Sequence, residues 1–156
     1  MVINPINPNQ TEFSRFGSIV IQPKDLPLSQ TEEYQYWSNI AHYHIDGDTE
    51  IGLCTVFRRS TPVIAEVERH LKTPEILIPI DAPFVLPLLR EGEDEDKMQA
   101  FTVDIGQAVV IESGVWHSAC FPVSKPQASY FVIFRQGTPH EDVYKKSILS
   151  PILLQY

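Results

Sequence analysis

From Gly17 onward, apolar and polar residues alternate in short runs, each broken within a few positions by proline, glycine or a charged cluster. That period of two is the signature of half-buried β-strands. It predicts ten strands, over 18–22, 41–46, 50–57, 63–70, 75–80, 83–90, 98–104, 107–112, 115–121 and 129–135. Asp46-Gly47-Asp48 has the composition of a hairpin turn, and 23–38 reads as a long connection containing proline and tyrosine. Helical periodicity is nearly absent. Thr11 is placed to cap one short helix through Glu12, Phe13 and Phe16, stopped by Gly17, and 140–147 is expected to form a short helix or a packed tail. Many short strands with turn signals at close intervals predict a sandwich or a barrel.

Composition supports one compact unit. The 156 residues, 43% of them apolar, suffice for a hydrophobic core, and neither an internal repeat nor a linker divides them, so 1–156 is read as a single domain. Thirteen prolines favour turns and short strands over long helices. The net charge of −8 leaves no basic stripe to neutralise phosphates, so nucleic acid is not an expected partner. Much of the excess lies in Glu91-Gly-Glu93-Asp94-Glu95-Asp96, which reads as a solvated loop, because the alternating ligands of a calcium loop are missing. Cys54 and Cys120 are too few for a disulfide framework and are expected as buried free thiols. No charged n-region with an apolar h-region opens the chain, and no apolar run approaches the roughly 18 residues of a membrane span. A cytoplasmic protein without membrane contact is the expectation.

Chemistry concentrates in two places. In Glu68-Arg69-His70, strand alternation puts Glu68 and His70 on one face, while Lys72-Thr73-Pro74 breaks the strand and lets Glu75 open the next one beside His70. Downstream, Gly106 and Ser113-Gly114 are turn signals around an apolar run, and His117 follows, expected to share its face with Val115, Ala119 and Phe121. Two imidazoles and two carboxylates thus converge on one pocket, a nitrogen and oxygen set suited to Mn²⁺, Fe²⁺, Ni²⁺ or Zn²⁺. A single histidine on an apolar strand is more often a satisfied core residue, but four polar groups at these spacings are harder to explain that way. His42 and His44 also share a face, with nothing nearby to complete a site. Arg58-Arg59 offers a planar fork for a substrate carboxylate, although arginines at strand ends are more often solvated. Trp116 alternates with His117 and reads first as core, with substrate contact as its other role, and the role of Arg135 is open.

These spacings resemble the two cupin motifs. Gly-x5-Pro-x-Gly-x2-His corresponds to Gly106-x5-Glu112-x-Gly114-x2-His117, and His-x-His-x4-Glu corresponds to Glu68-x-His70-x4-Glu75, with glutamate at one position of each. More specifically, Val67-Glu68-Arg69-His70, Ile78-Pro79 and Gly114-Val115-Trp116-His117 resemble the bacterial ureidoglycolate lyase family. The opening Glu12 to Gly17 and the late strand Tyr130-Phe131-Val132-Ile133 extend the likeness over most of the chain. Four departures stand out: Ile111, Glu112 and Ser113 replace an Asn-Tyr-His, Ser118 replaces a second histidine, Glu75 replaces a glutamine, and Phe134-Arg135-Gln136-Gly137 replaces an Asp-Arg-Gly-Gly turn.

The resemblance implies a mainly β cupin, a double-stranded β-helix or jelly-roll barrel with one or two short helices, often a homodimer, that splits ureidoglycolate into glyoxylate and urea. On this reading His70, Glu75 and His117, perhaps joined by Glu68, hold a divalent metal. Glu68 or Glu112 serves as acid–base catalyst, and Arg58 and Trp116 meet the small-molecule substrate. Two other readings stay open: a metal-dependent cupin enzyme for another small hydroxy or keto acid, and a non-catalytic cupin that binds a small ligand.

Overall fold

The computed structural model describes residues 1–156. In chain order the strands are β1 (Val2–Ile3), β2 (Gly17–Val20), β3 (Ser29–Gln30), β4 (Gln35–Tyr36), β5 (Thr49–Phe57), β6 (Val63–Arg69) and β7 (Glu75–Pro79). Then come β8 (Phe84–Leu89), β9 (Gln99–Val103), β10 (Ala108–Ile111), β11 (Trp116–His117), β12 (Phe121–Pro122), β13 (Gln127–Arg135) and β14 (Tyr144–Leu154). Two short helices, α1 (Gln10–Phe13) and α2 (Thr138–Glu141), complete the fold, and neither is long and apolar enough to cross a membrane.

Two sheets form a nearly closed barrel of the cupin type. The larger runs β1-β14-β6-β11-β8-β12, with β9 also on β8, and the smaller runs β2-β10-β7-β13-β5. Strand β8 shows why the interior is dense. Phe84, Leu86 and Leu88 point into the core between the sheets, while Val85 and Leu89 pack in a second cluster with Trp116, Phe121 and Ile148. With both faces covered, all six residues of β8 are buried and its alternation of polarity disappears. At one end of the inner core Phe101 meets Phe13 and Phe16 edge-on, at centroid distances of 5.1 and 5.7 Å, the geometry aromatic quadrupoles favour.

Most predicted strands form within a residue or two of their expected limits, and the exceptions have physical causes. The helix starts at Gln10, because Asn9 reaches it before Thr11: the Asn9 side chain accepts from the Glu12 amide at 2.9 Å and donates to the Glu12 carboxylate. Residues 41–46 are not a strand, and β5 beyond them is the sheet's edge, hydrogen-bonded only to β13. The 23–38 connection contains the β3–β4 hairpin. Expected strand 115–121 is split by Ser118, Ala119 and Cys120, which shifts the alternation so that Phe121 packs with Trp116 and not on the face of His117. The tail forms β14, eleven residues long, whose pairing with β6 shifts register between Ser147 and Ile152. Pro151 and three polar residues, Lys145 to Ser147, obscure its strand pattern in the sequence. Cys120 is buried as expected but Cys54 is only half-buried, and both are free.

Gly17 is the tightest backbone approach among the chain's glycines. Its φ is +149°, and a Cβ there would stand 1.9 Å from the Val110 carbonyl oxygen of the paired strand β10. Gly17→Ala should therefore lower unfolding stability by about 2–4 kcal/mol. A shift of the urea midpoint at unchanged m-value checks this; an unshifted midpoint would contradict the close approach.

Candidate functional site

Register places the site. His117 of β11 pairs with Glu68 of β6, and Glu68 pairs on its other side with Lys145 of β14, giving a row of three across the larger sheet. His70 follows the end of β6, and Glu75 opens β7 in the smaller sheet. The turn from 70 to 75 thus carries the chain from one sheet to the other, with a ligand-type side chain at each end.

Two further contacts stiffen this corner. Gly114, in the left-handed region at φ +83°, donates its N–H to the His70 carbonyl at 2.6 Å, tying the turn before His117 to the end of β6. Asp142 is buried after α2, and its carboxylate accepts from the Leu71 and Lys72 amides at 3.0 and 2.8 Å. Its backbone carbonyl lies 2.7 Å from Nδ1 of His70. A carbonyl only accepts, so this contact requires the proton on Nδ1 and leaves Nε2 of His70 to face the site. Nδ1 of His117 similarly faces the Val115 carbonyl at 3.2 Å.

Both Nε2 atoms converge on one carboxylate oxygen. Oε2 of Glu75 lies 3.1 Å from Nε2 of His70 and 3.0 Å from Nε2 of His117, while Oε1 of Glu68 is 3.9 Å from Nε2 of His117. Phe134 stands edge-on to His70 at 5.7 Å. Burial alone would push the Glu75 carboxyl up, but His117 and then His70 outweigh it and hold Glu75 below the usual carboxylate range. Burial favours neutral imidazoles, yet Glu75 raises both histidines above their ordinary value.

The donor set fits a divalent ion. Glu68, His70 and His117 each place a donor atom within 4.8 Å of the others. Oε2 of Glu75 and Nε2 of His117, although close together, are buried without an aligned hydrogen-bond partner. Buried polar atoms are seldom left unpaired, and two of them facing a nitrogen and oxygen cluster suit a cation better than a proton.

The cluster opens into a cavity of about 510 Å³ bounded by Leu77, Tyr130, Val132 and Phe134 as well as the polar group. A smaller one, about 300 Å³, adjoins it and includes Arg59. Both share Glu68, His117, Ser118, Ala119 and Lys145. Cys120 and Tyr130 also line the larger cavity, and burial pushes both up, so they stay neutral there.

The other expected site residues are elsewhere. Glu112 is exposed in a separate depression with His42 and His44, because the 112–114 turn carries it to the outside of the barrel. Arg58 is exposed beyond the end of β5, and Arg59 borders the smaller cavity instead, stacked 4.2 Å over Phe121. Trp116, one residue from His117, points to the opposite face; there it donates to Glu91 and lies under Arg69 and Lys146. Sequence reasoning missed Asp142 and Lys145. Both lie in the tail, whose strand was not expected, and only tertiary pairing brings them to the site.

The family model for ureidoglycolate lyase matches residues 1–155. The chain belongs to the ureidoglycolate lyase family. No curated protein sequence matched it. Among solved structures, this lyase-family chain is similar to the capsular polysaccharide assembling protein CapF of Staphylococcus aureus, at 13% identity and a TM-score of 0.50, over 64% of this chain and 29% of that one. Bacillus subtilis oxalate decarboxylase, a Mn(II) protein, matches at 15% identity and 0.47 over 65% and 24%. RmlC of Streptococcus suis matches at 15% and 0.42 over 56% and 44%. The chain thus spans less than half the length of each of these proteins, and the likeness to CapF is one of fold.

Asp142→Ala leaves the Leu71 and Lys72 amides without their acceptor. It should cost about 1–3 kcal/mol and, by loosening the turn that holds the carbonyl of residue 142, broaden the protected Nδ1–H resonance of His70. Asp142→Asn, with one acceptor oxygen for the two amides, should fall between Ala and wild type. Thermal melting together with ¹H–¹⁵N imidazole spectra makes the comparison.

Proposed function

We propose that residues 1–156 form a single-domain, metal-dependent lyase that cleaves ureidoglycolate to glyoxylate and urea. The observation that carries this reading is the buried convergence of His70, Glu75, His117 and Glu68 in a chain of this family. His70, Glu75 and His117 would hold a divalent ion, of which Mn, Ni, Fe and Zn all suit the donors, and Glu68 would stay free beside it. When bound, such an ion supplies Lewis-acid polarisation of the substrate's carboxylate and hydroxyl oxygens.

The chain's own groups do the rest. Glu68 is the most exposed carboxylate of the set and the one placed between His117 and the cavity mouth, so it serves as the acid–base group. It takes the proton from the 2-hydroxyl, the C–O bond becomes the aldehyde carbonyl of glyoxylate, and the C–N bond breaks. The same proton then passes to the departing nitrogen, which leaves as urea. Glu75 holds both imidazoles in place throughout, and Asp142 fixes the ring of His70. Glu112, Arg58 and Trp116 have no part in these steps, since none borders the cavity.

Purified protein supplied with Mn²⁺ or Ni²⁺ should release urea from ureidoglycolate. His70→Ala and His117→Ala should each lower metal affinity by about 100-fold or more and remove turnover. Full activity in His70→Ala would overturn the mechanism. A second reading, a metal-dependent cupin enzyme for another small hydroxy or keto acid, is favoured by one observation: the 510 Å³ cavity, with Leu77, Val132 and Phe134 in its wall, is roomier and more apolar than ureidoglycolate requires. Metal binding without urea release would select it.

The chain is further proposed to pair with a second copy through the smaller sheet. Strand β5 is an unpaired edge, and its outer face carries Ile51, Leu53 and Phe57 at 70%, 66% and 64% exposure, next to Phe131 on β13. A flat apolar edge of this kind is ordinarily covered, and a two-fold axis lets it cover itself. A cytoplasmic setting accords with two free cysteines. Leu53→Asp should convert a dimer to a monomer in sedimentation equilibrium; wild-type protein sedimenting as a monomer would refute the pairing.

A further inference from the structure

Outside the cluster in which His70 and His117 face Glu75, the charged groups an anionic substrate meets in this cavity are mostly carboxylates. Glu50, Glu68 and Glu75 all border it, and of the chain's lysines and arginines only Lys145 does. Other nearby cations are committed elsewhere. Arg59 is stacked on Phe121 beside the smaller cavity, and Arg69 and Lys146 lie over Trp116 at 4.4 and 4.6 Å on the opposite face of β11.

Lys145 is held at the mouth by strand register. It is the direct cross-strand neighbour of Glu68, which is the neighbour of His117, so the three side chains stand in a row on one face. Cross-strand neighbours have their Cβ atoms about 5 Å apart, close enough for one small ligand to touch all three groups. Nζ of Lys145 lies 3.1 Å from Glu66 and 3.8 Å from Glu68. Both it and Glu66 are about half exposed, at 54%, so this ion pair is weak and readily exchanged. The long flexible stem lets the ammonium swing from Glu66 towards the cavity without moving the strand. Lys145 borders both cavities, at the wall they share, and a carboxylate there reaches the ammonium with its 2-substituent beside Glu68 and His117.

We propose that Lys145 is the residue that selects carboxylate ligands in this cavity, and that Glu66 holds it aside until one arrives. The ligand class is a small 2-hydroxy acid. Only that class, and not the role of Lys145, rests on the lyase reading. Lysine gives a single mobile charge and not a planar fork, so the recognition is by charge and tolerates variation in the rest of the acid.

Glycolate and its neutral amide, glycolamide, share the 2-hydroxyl and differ in the carboxylate. Calorimetric titration of both into Mn²⁺-loaded protein isolates the charge. Wild type should prefer glycolate, and Lys145→Met should shrink that preference by about five- to tenfold, acting on glycolate affinity and leaving glycolamide unchanged. Lys145→Arg should keep most of the preference. Glu66→Gln should tighten glycolate binding by freeing the ammonium. The Lys145 contribution should also weaken as salt is raised. A glycolate preference unchanged in Lys145→Met, or no glycolate binding by wild type, would overturn the proposal. A Lys145-dependent preference in a protein that releases no urea would instead reject the lyase reading and leave this assignment standing.

Discussion

One carboxylate oxygen holds the functional end of this barrel together. Oε2 of Glu75 belongs to the smaller sheet, and the two imidazole nitrogens it contacts lie at the end of β6 and on β11 in the larger one. The site is therefore a crosslink between the sheets as much as a pocket. Burying a carboxylate is costly unless positive charge compensates it. Here two histidines share that task, and the same exchange keeps Glu75 ionised and raises both rings. Removing either imidazole would leave a buried charge short of partners, so the proposed metal ligands also hold the structure together.

Around that oxygen, orientation is set by backbone. Asp142 pins the turn between the sheets with its carboxylate and His70 with its carbonyl. Gly114 ties the turn ahead of His117 to the same residue. Neither group touches the cavity chemistry directly, yet each restricts where an Nε2 lone pair points. The split of the expected 115–121 strand belongs to the same design. By breaking alternation after His117 it lets Ser118, Ala119 and Cys120 all border the cavity, while Phe121 returns to the outer cluster.

The chain belongs to the ureidoglycolate lyase family but carries an altered set of side chains around the cluster. Glutamate stands at 75 where the family usually has glutamine, so this chain places an additional full charge at the centre of the site. The second histidine usual after Trp-His is Ser118, which borders both cavities as a small hydroxyl and widens the space beside His117. Together with the apolar wall of Leu77, Val132 and Phe134, these changes give a cavity that combines an ionic end and an oily end. Such a division of polarity is the usual means by which a pocket fixes the direction of a small acid.

The amino-acid sequence by itself determined the class of fold, most strand positions, and the set of two histidines and two glutamates. Each of these depends on short-range spacing: alternation assigns a face within a strand, and glycine or proline marks where it ends. That reasoning put Glu68 and His70 together and let Glu75 join them across a turn of four residues. It failed wherever long-range pairing overrode local pattern. Glu112 carries a motif position but turns outward, and Arg58 stops one residue short of the cavity's neighbourhood, whereas Trp116 packs in the core as its alternation with His117 leads one to expect. Lys145 and Asp142 were invisible in a tail of lysines, serine and proline, because that tail becomes a strand only by pairing with β6, some eighty residues earlier along the chain. Tertiary structure alone decided that pairing, since register between distant strands is set by the packing of a whole face and not by any residue's neighbours in sequence.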